Sequence, residues 1–220
     1  MRLRRKPWID EAILKFRPFL YLDLPEGMAG KWRYEFPCSE APLHVELGTG
    51  KGRFITSMAD HNRQVNFIGI ERQQGVIYYA GKKAAETEPA LTNIKLLILD
   101  IQRLNLFFAP GEVGCFYINF CDPWPKARHA KRRLTYRSYL RVYAELLAPG
   151  GCLCFKTDNR ELFNFSVEEL ESEKWSLSEI TYDLHASPAE GDVMTEYEEK
   201  FSQKGNRICR LIARPPSSEK

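Results

Sequence analysis

Past residue 40 the chain alternates between short apolar runs and longer amphipathic stretches. Residues 43–47, 66–71, 94–99, 115–120 and 152–157 are brief and rich in Ile, Leu, Val and Phe, the pattern of strands buried on both faces of a parallel sheet. Between and after them, residues 53–60, 75–86, 136–147 and 160–172 place apolar side chains at helical spacing. The segments 176–182 and 207–214 read as an antiparallel pair closing the sheet edge, and residues 9–16 read as a helix ahead of the first strand. Pro149-Gly150-Gly151 reads as the turn between the helix over 136–147 and the strand at 152. Strands alternating with helices predict an α/β protein with a mostly parallel, seven-stranded sheet, an antiparallel edge strand and helices on both faces.

Composition narrows this picture without changing it. The 220 residues suffice for one core, so the expected organisation is an N-terminal extension (1–40), one catalytic-size domain (41–214) and a short polar tail (215–220). Apolar runs such as 115–121 are far shorter than the ~20 residues that span a bilayer, and the charged start MRLRRKPWIDEAIL lacks the apolar segment of a signal peptide. A cytoplasmic protein with no membrane partner is expected. Six cysteines without a CxxC pair, four of them inside strand-like runs, predict reduced, buried thiols. His44, His61, His129 and His185 show no ligand spacing with one another or with the cysteines, so no metal site is expected. Tyr78, Tyr79, Tyr136, Tyr139 and Tyr143 sit at helical spacing, and most of them are expected in the core. Either a monomer or a homodimer is compatible with the sequence.

The formal charge of +3 conceals segregation. Between Lys126 and Arg141 there are seven Lys or Arg residues and no acid, Arg2, Arg4, Arg5 and Lys6 open the chain, and twelve acids against one lysine lie between Glu161 and Glu199. A basic surface on a nearly neutral protein fits a polyanionic partner such as a nucleic acid, although a solvated helix face gives the same pattern.

Two stretches carry candidate chemistry. In VELGTGKG (45–52) a strand ends in an acid and enters glycines at alternate positions before a helix, which lets a ligand approach the backbone closely. Arg53 stands where a dinucleotide fingerprint needs its third glycine, and the phosphate-loop pattern is absent, so a nucleoside-like ligand without pyrophosphate is expected. Glu46, Glu71 and Asp100 fall at successive strand ends, where carboxylates accept from ribose hydroxyls or an adenine amino group and favour a cationic ligand. S-adenosylmethionine meets that description. The second stretch is INFCDPWPKARHAKRRL (118–134), in which Pro123 and Pro125 stiffen a loop carrying Asp122 and Trp124, with Asp122 where a transferred methyl group should lie.

At this second stretch the sequence resembles the bacterial tRNA (guanine-N7)-methyltransferase family, from RRKPW at the N-terminus through Arg210. VELGTGKG, GIER (69–72), DPWPKARHAKRR (122–133), KTDN (156–159) and TEYEEKF (195–201) follow the family's order and spacing. The resemblance implies a Rossmann-like class I methyltransferase fold and S-adenosylmethionine bound by Glu46, Gly48, Gly50, Glu71, Asp100 and Asp122. It further implies Asp122 as catalytic residue, Lys126, Asp158, Thr195, Glu196, Tyr197 and Glu198 as substrate contacts, and Arg128, His129, Lys131, Arg132 and Arg133 facing the RNA. The implied target is guanine 46 of the tRNA variable loop.

Three rival readings are open. Cys121 as a covalent nucleophile would make a pyrimidine methyltransferase, but it ends an apolar strand with no adjacent base. A nicotinamide-dependent dehydrogenase shares the architecture and lacks its full glycine fingerprint here. A non-catalytic RNA-binding protein would use the basic segment and dispense with Asp122.

Overall fold

Eight strands and six α-helices realise this alternation among the residues that the computed structural model describes, which are 6–184, 186, 193 and 207–216. The chain divides into two compact units, Met1–Ala109 and Pro110–Lys220.

In the first unit, β1 (Leu20–Tyr21), β2 (Leu43–Leu47), β3 (Asn66–Glu71) and β4 (Ile94–Ile98) are all parallel, in the order β1-β4-β3-β2. Val45, Leu47, Phe67, Ile68, Ile70, Leu96 and Leu97 are essentially sealed from solvent, which explains why these strands read as continuous apolar runs. α1 (Trp8–Ala12) tightens into a 3₁₀ turn at Ile13–Phe16, so the expected helix over 9–16 keeps its extent but changes pitch. Ile9, Ile13 and Phe16 are buried, and Trp8 meets Tyr78 edge-on at 5.2 Å. Trp32 is fully enclosed and donates its Nε1–H to the Phe107 carbonyl at 2.7 Å. Residues from the N-terminal stretch thus supply part of this unit's core. α2 (Arg53–His61), α3 (Gln74–Glu86) and the short α4 (Leu104–Phe107) complete the unit.

The second unit contains β5 (Val113–Asn119), α5 (Arg137–Leu146), β6 (Leu147–Thr157), α6 (Arg160–Ser172), β7 (Ser176–Thr181) and β8 (Cys209–Arg214). β5 and β6 run parallel, and β8 lies between β6 and β7, antiparallel to both. Phe116 packs against Tyr143 of α5 at 5.1 Å, and Phe155 stacks on Phe163 of α6 at 6.0 Å. The two helices are joined by Arg137 to Glu169 (2.6 Å) and Arg141 to Glu173 (2.7 Å).

One expectation is corrected. Pro149-Gly150-Gly151 does not separate helix from strand, because β6 already begins at Leu147. Gly150 sits at φ +78°, and the register shifts between Val113 and Cys115, so the glycines absorb an irregularity inside the strand. β1 comes in addition to the seven strands expected. The fold class stands: Rossmann-like α/β with mostly parallel strands and an antiparallel edge.

Candidate active site

The end of β2 sets the geometry of the first unit's site. Gly48, Gly50 and Gly52 all have positive φ (+85°, +58° and +83°), conformations that side chains disfavour. Gly48 and Thr49 donate their N–H groups to the Ile70 carbonyl at 2.9 and 2.8 Å, tying the loop to β3. Glu46 is buried, with the Thr49 hydroxyl donating to its Oε2 at 2.5 Å. Glu71 ends β3 and accepts from the Gln73 N–H at 2.9 Å. Loss of solvation pushes its carboxyl above the usual range, and the N–H groups of Gln73, Arg72 and Gly50, with the Arg72 charge, offset this only in part. Asp100 follows β4, accepts from the Gln102 N–H at 3.1 Å and lies 3.6 Å from an Arg72 guanidinium nitrogen. Within this unit, then, the expected acids occupy the carboxyl ends of β2, β3 and β4.

Sequence reasoning missed Thr49 and Arg72, whose roles depend on contacts across strands. It also missed an open cleft of about 240 Å³ on the β1 side of Asp100, lined by Leu22, Leu24, Ile98, Arg103 and Phe107 among others.

In the second unit the loop after β5 is stiff for reasons beyond its prolines. Phe120 and Trp124 are held at φ +50° and +43°, unusual for bulky side chains, and the Phe120 N–H donates to the Lys156 carbonyl at 2.9 Å. Arg133 clamps the loop, its Nε and Nη2 donating to the carbonyls of Pro123 (3.0 Å) and Trp124 (3.1 Å) while its guanidinium lies 4.2 Å from the centre of the Phe165 ring. Arg132 lies over Trp124 at 4.9 Å, and His129 meets the same ring edge-on at 5.8 Å. Asp122, Lys126, Arg128, Lys131 and Arg132 are exposed.

These contacts sort the basic segment. Arg133 holds the loop, and Arg137 and Arg141, although exposed, are paired with Glu169 and Glu173; Lys126, Arg128, Lys131 and Arg132 are the other exposed cations of the seven. Asp158 follows β6 and is half-buried; beside it Asn159 caps α6 by accepting from the Leu162 N–H at 2.8 Å. Buried Lys156 donates to the Val193 carbonyl at 3.3 Å, a placement that its motif alone did not reveal. Thr195, Glu196, Tyr197 and Glu198 lie outside the described residues, as do Arg2, Arg4, Arg5 and His185.

Cys121 does not suit a nucleophile. Burial, and then the Asp122 charge, push its thiol up to about 12, so it stays protonated at neutral pH, whereas attack requires the thiolate. None of the six cysteines is disulfide-bonded, and Cys115 and Cys209 alone among them are buried as expected, Cys38 being exposed and Cys121, Cys152 and Cys154 partly exposed. Of the tyrosines at helical spacing, Tyr78 and Tyr143 are buried, Tyr136 and Tyr139 are half-buried, and Tyr79 also departs from the core. It is half-buried, accepts from Lys6 Nζ at 2.9 Å, and its phenol is held below the usual range by that bond and by Lys51 and Lys82.

A Rossmann-like chain with carboxylates at three successive strand tips, a glycine turn and no phosphate fingerprint belongs to the class I methyltransferases. The sequence family described as "Putative methyltransferase" matches residues 40–211. Tighter kinship is seen with the tRNA (guanine-N(7)-)-methyltransferases of Geobacillus kaustophilus (strain HTA426), 49% identical over 98% of both chains, and Geobacillus thermodenitrificans (strain NG80-2), 48% identical over 98% of this chain and 99% of that one. The chain is a member of the tRNA (guanine-N(7)-)-methyltransferase family.

Solved structures agree on the fold. The 16S rRNA methyltransferase KamB aligns with a TM-score of 0.61 at 16% identity, over 80% of this chain and 88% of that one. An antibiotic-related methyltransferase aligns with a TM-score of 0.57 at 15% identity, over 97% and 94%. Among the described residues no helix is long and apolar enough to cross a membrane.

Proposed function

We propose that this protein transfers a methyl group from S-adenosylmethionine to N7 of a guanine in the tRNA variable loop, guanine 46, in the cytoplasm. The observation that carries this reading is the loop after β5, where exposed Asp122 is held between left-handed Phe120 and Trp124 and is followed by exposed Lys126, Arg128, Lys131 and Arg132. The near full-length likeness to tRNA (guanine-N(7)-)-methyltransferases supports the same substrate.

S-adenosylmethionine supplies an electrophilic methyl group on a sulfonium. The first unit fits such a ligand. A Cβ on Gly48 would meet nothing within 4 Å, so the loop leaves open space at its backbone. Glu46, Glu71 and Asp100 bring negative charge that attracts a cation and repels a phosphate. In this reading Glu71 accepts from the ribose hydroxyls and Asp100 from the adenine amino group.

Guanine N7 already presents a lone pair, so no residue has to remove a proton from it. Catalysis therefore rests on alignment and electrostatics. Asp122 stabilises the positive charge that builds on the purine as the methyl arrives. Lys126 and Asp158 contact the acceptor, Asp158 accepting from the N1–H and N2–H₂ groups, and Thr195, Glu196, Tyr197 and Glu198 complete that contact. The base must leave its stack to react, and Arg128, His129, Lys131 and Arg132 hold the backbone while it does. Arg133 stiffens the loop that carries them.

Incubating the protein with unmodified tRNA transcripts and methyl-labelled donor, then mapping by mass spectrometry, tests the proposal. 7-Methylguanosine in the variable loop is the expected product; label on another base, or none on tRNA, refutes it. The double variant Lys131→Ala/Arg132→Ala should bind tRNA more weakly and lower the slope of log K against log salt by roughly one for each phosphate that is no longer neutralised. An unchanged slope would move the RNA face elsewhere.

A further inference from the structure

Cys115, Cys152 and Cys154 are scattered in sequence but meet in the second unit, with their three Sγ atoms all within 4.8 Å of one another. Their convergence follows from the strand register. Cys115 of β5 pairs with Cys152 of β6, and Tyr117 pairs with Cys154, so the alternation of side chains puts all four on one face. The strands close up just before this point: a Cβ on Gly151 would lie 2.9 Å from the Gly114 carbonyl oxygen, at the same irregularity that shifts the register after Val113. Bulges of this kind often accompany sites that must aim particular side chains.

From these distances we propose that Cys115, Cys152 and Cys154 form a binding site for one thiophilic d¹⁰ cation of the zinc class. Cys115 Sγ lies 3.7 Å from Cys154 Sγ and 3.6 Å from Cys152 Sγ. A zinc–sulfur bond of ~2.3 Å implies sulfurs ~3.8 Å apart in a tetrahedron and ~4.0 Å apart in a trigonal plane, so small side-chain shifts complete the set. The fourth position is left to water or an external ligand, with the Tyr117 phenol on the same face. Soft thiolate donors select zinc-class ions over magnesium or calcium. Cys115 is buried, but Cys152 and Cys154 are half-exposed, which gives an ion a route in. Binding displaces the thiol protons as the metal–sulfur bonds form. Lys156 and Arg210, register partners in β6 and β8, lie on this face, Arg210 being ion-paired with Glu179 at 2.6 Å.

Linear spacing is what usually betrays such sites, and here a parallel crossover separates Cys115 from Cys152, so the cluster forms only in the folded chain. The site does not depend on the proposed reaction.

The test is a titration of the reduced, chelator-treated, full-length protein with Cd²⁺, following thiolate-to-metal charge-transfer absorption. One equivalent should produce the band, and a large excess of Zn²⁺ should lower it. Cys152→Ser, Cys154→Ser and Cys115→Ala should each abolish or sharply weaken it, whereas Cys38→Ser, Cys121→Ser and Cys209→Ser should retain it. Should Cys115→Ala fail to fold, the two variants at the half-exposed positions decide. No band in the unsubstituted protein, or a band that survives the Cys152→Ser/Cys154→Ser double substitution in protein of native circular dichroism, overturns the site.

Discussion

Asp122→Ala is expected to lower kcat for methyl transfer to tRNA by on the order of 10²- to 10³-fold, the loss seen when one preorganised electrostatic stabiliser is removed (~2.7–4 kcal/mol). The side chain is exposed, so the melting temperature should change by no more than ~2 °C. Asp122→Asn keeps the shape and removes the charge, and should lose most of the rate as well, because the role assigned to the carboxylate is to face positive charge rather than to carry a proton. Steady-state kinetics on tRNA, with calorimetry on the same samples, separates these effects. Turnover within a few-fold of the parent in both variants would take Asp122 out of the reaction.

The second large effect concerns stability. A Cβ added at Gly52 would sit 2.4 Å from the Ala80 Cβ and 2.6 Å from its Cα, where the start of α2 presses on α3, at a φ of +83°. Neither contact is the end of a flexible side chain, so the helices must part. Adding ~1–2 kcal/mol for the left-handed conformation to ~1–3 kcal/mol for overpacking, Gly52→Ala should cost roughly 2–5 kcal/mol and lower the melting temperature by ~4–20 °C. Gly48→Ala makes a useful contrast. It bears the backbone strain but meets no neighbour, so its stability loss should be smaller while its affinity for S-adenosylmethionine falls, because the new methyl enters the space proposed for the ligand. Equal melting temperatures for the two variants would contradict the packing account of Gly52.

Elements whose sequence signal and burial coincide were legible residue by residue. β2 and β3 are rich in apolar residues, interrupted by His44, Glu46, Asn66 and Glu71, because both faces are covered, and α6 begins where Asn159 caps it. β1 escaped because two residues carry no period; it exists because Leu20 and Tyr21 pair with Leu96 and Leu97. The early start of β6 was hidden by glycines that ordinarily mark turns. For the site, strand-end acids were readable because parallel strands deliver their last residues to one edge. What each acid touches was not, since Thr49 reaches Glu46 and Arg72 reaches Asp100 only through folded geometry. Arg133 shows the same limit: a row of cations gives no hint that one of them turns inward to bind two carbonyls.

The ion pairs between α5 and α6 bear on how the protein behaves at high ionic strength. Glu169 is largely shielded, with a side-chain exposure of 7%, and accepts three hydrogen bonds from Arg137, so dissolved ions weaken that pair less than an open one such as Arg141–Glu173, in which Arg141 is 67% exposed. Brine strong enough to strip nucleic acid from the RNA face proposed at Lys126, Arg128, Lys131 and Arg132 should therefore leave the Arg137–Glu169 contact in place, and a salt wash during purification should yield RNA-free protein that melts close to its original temperature.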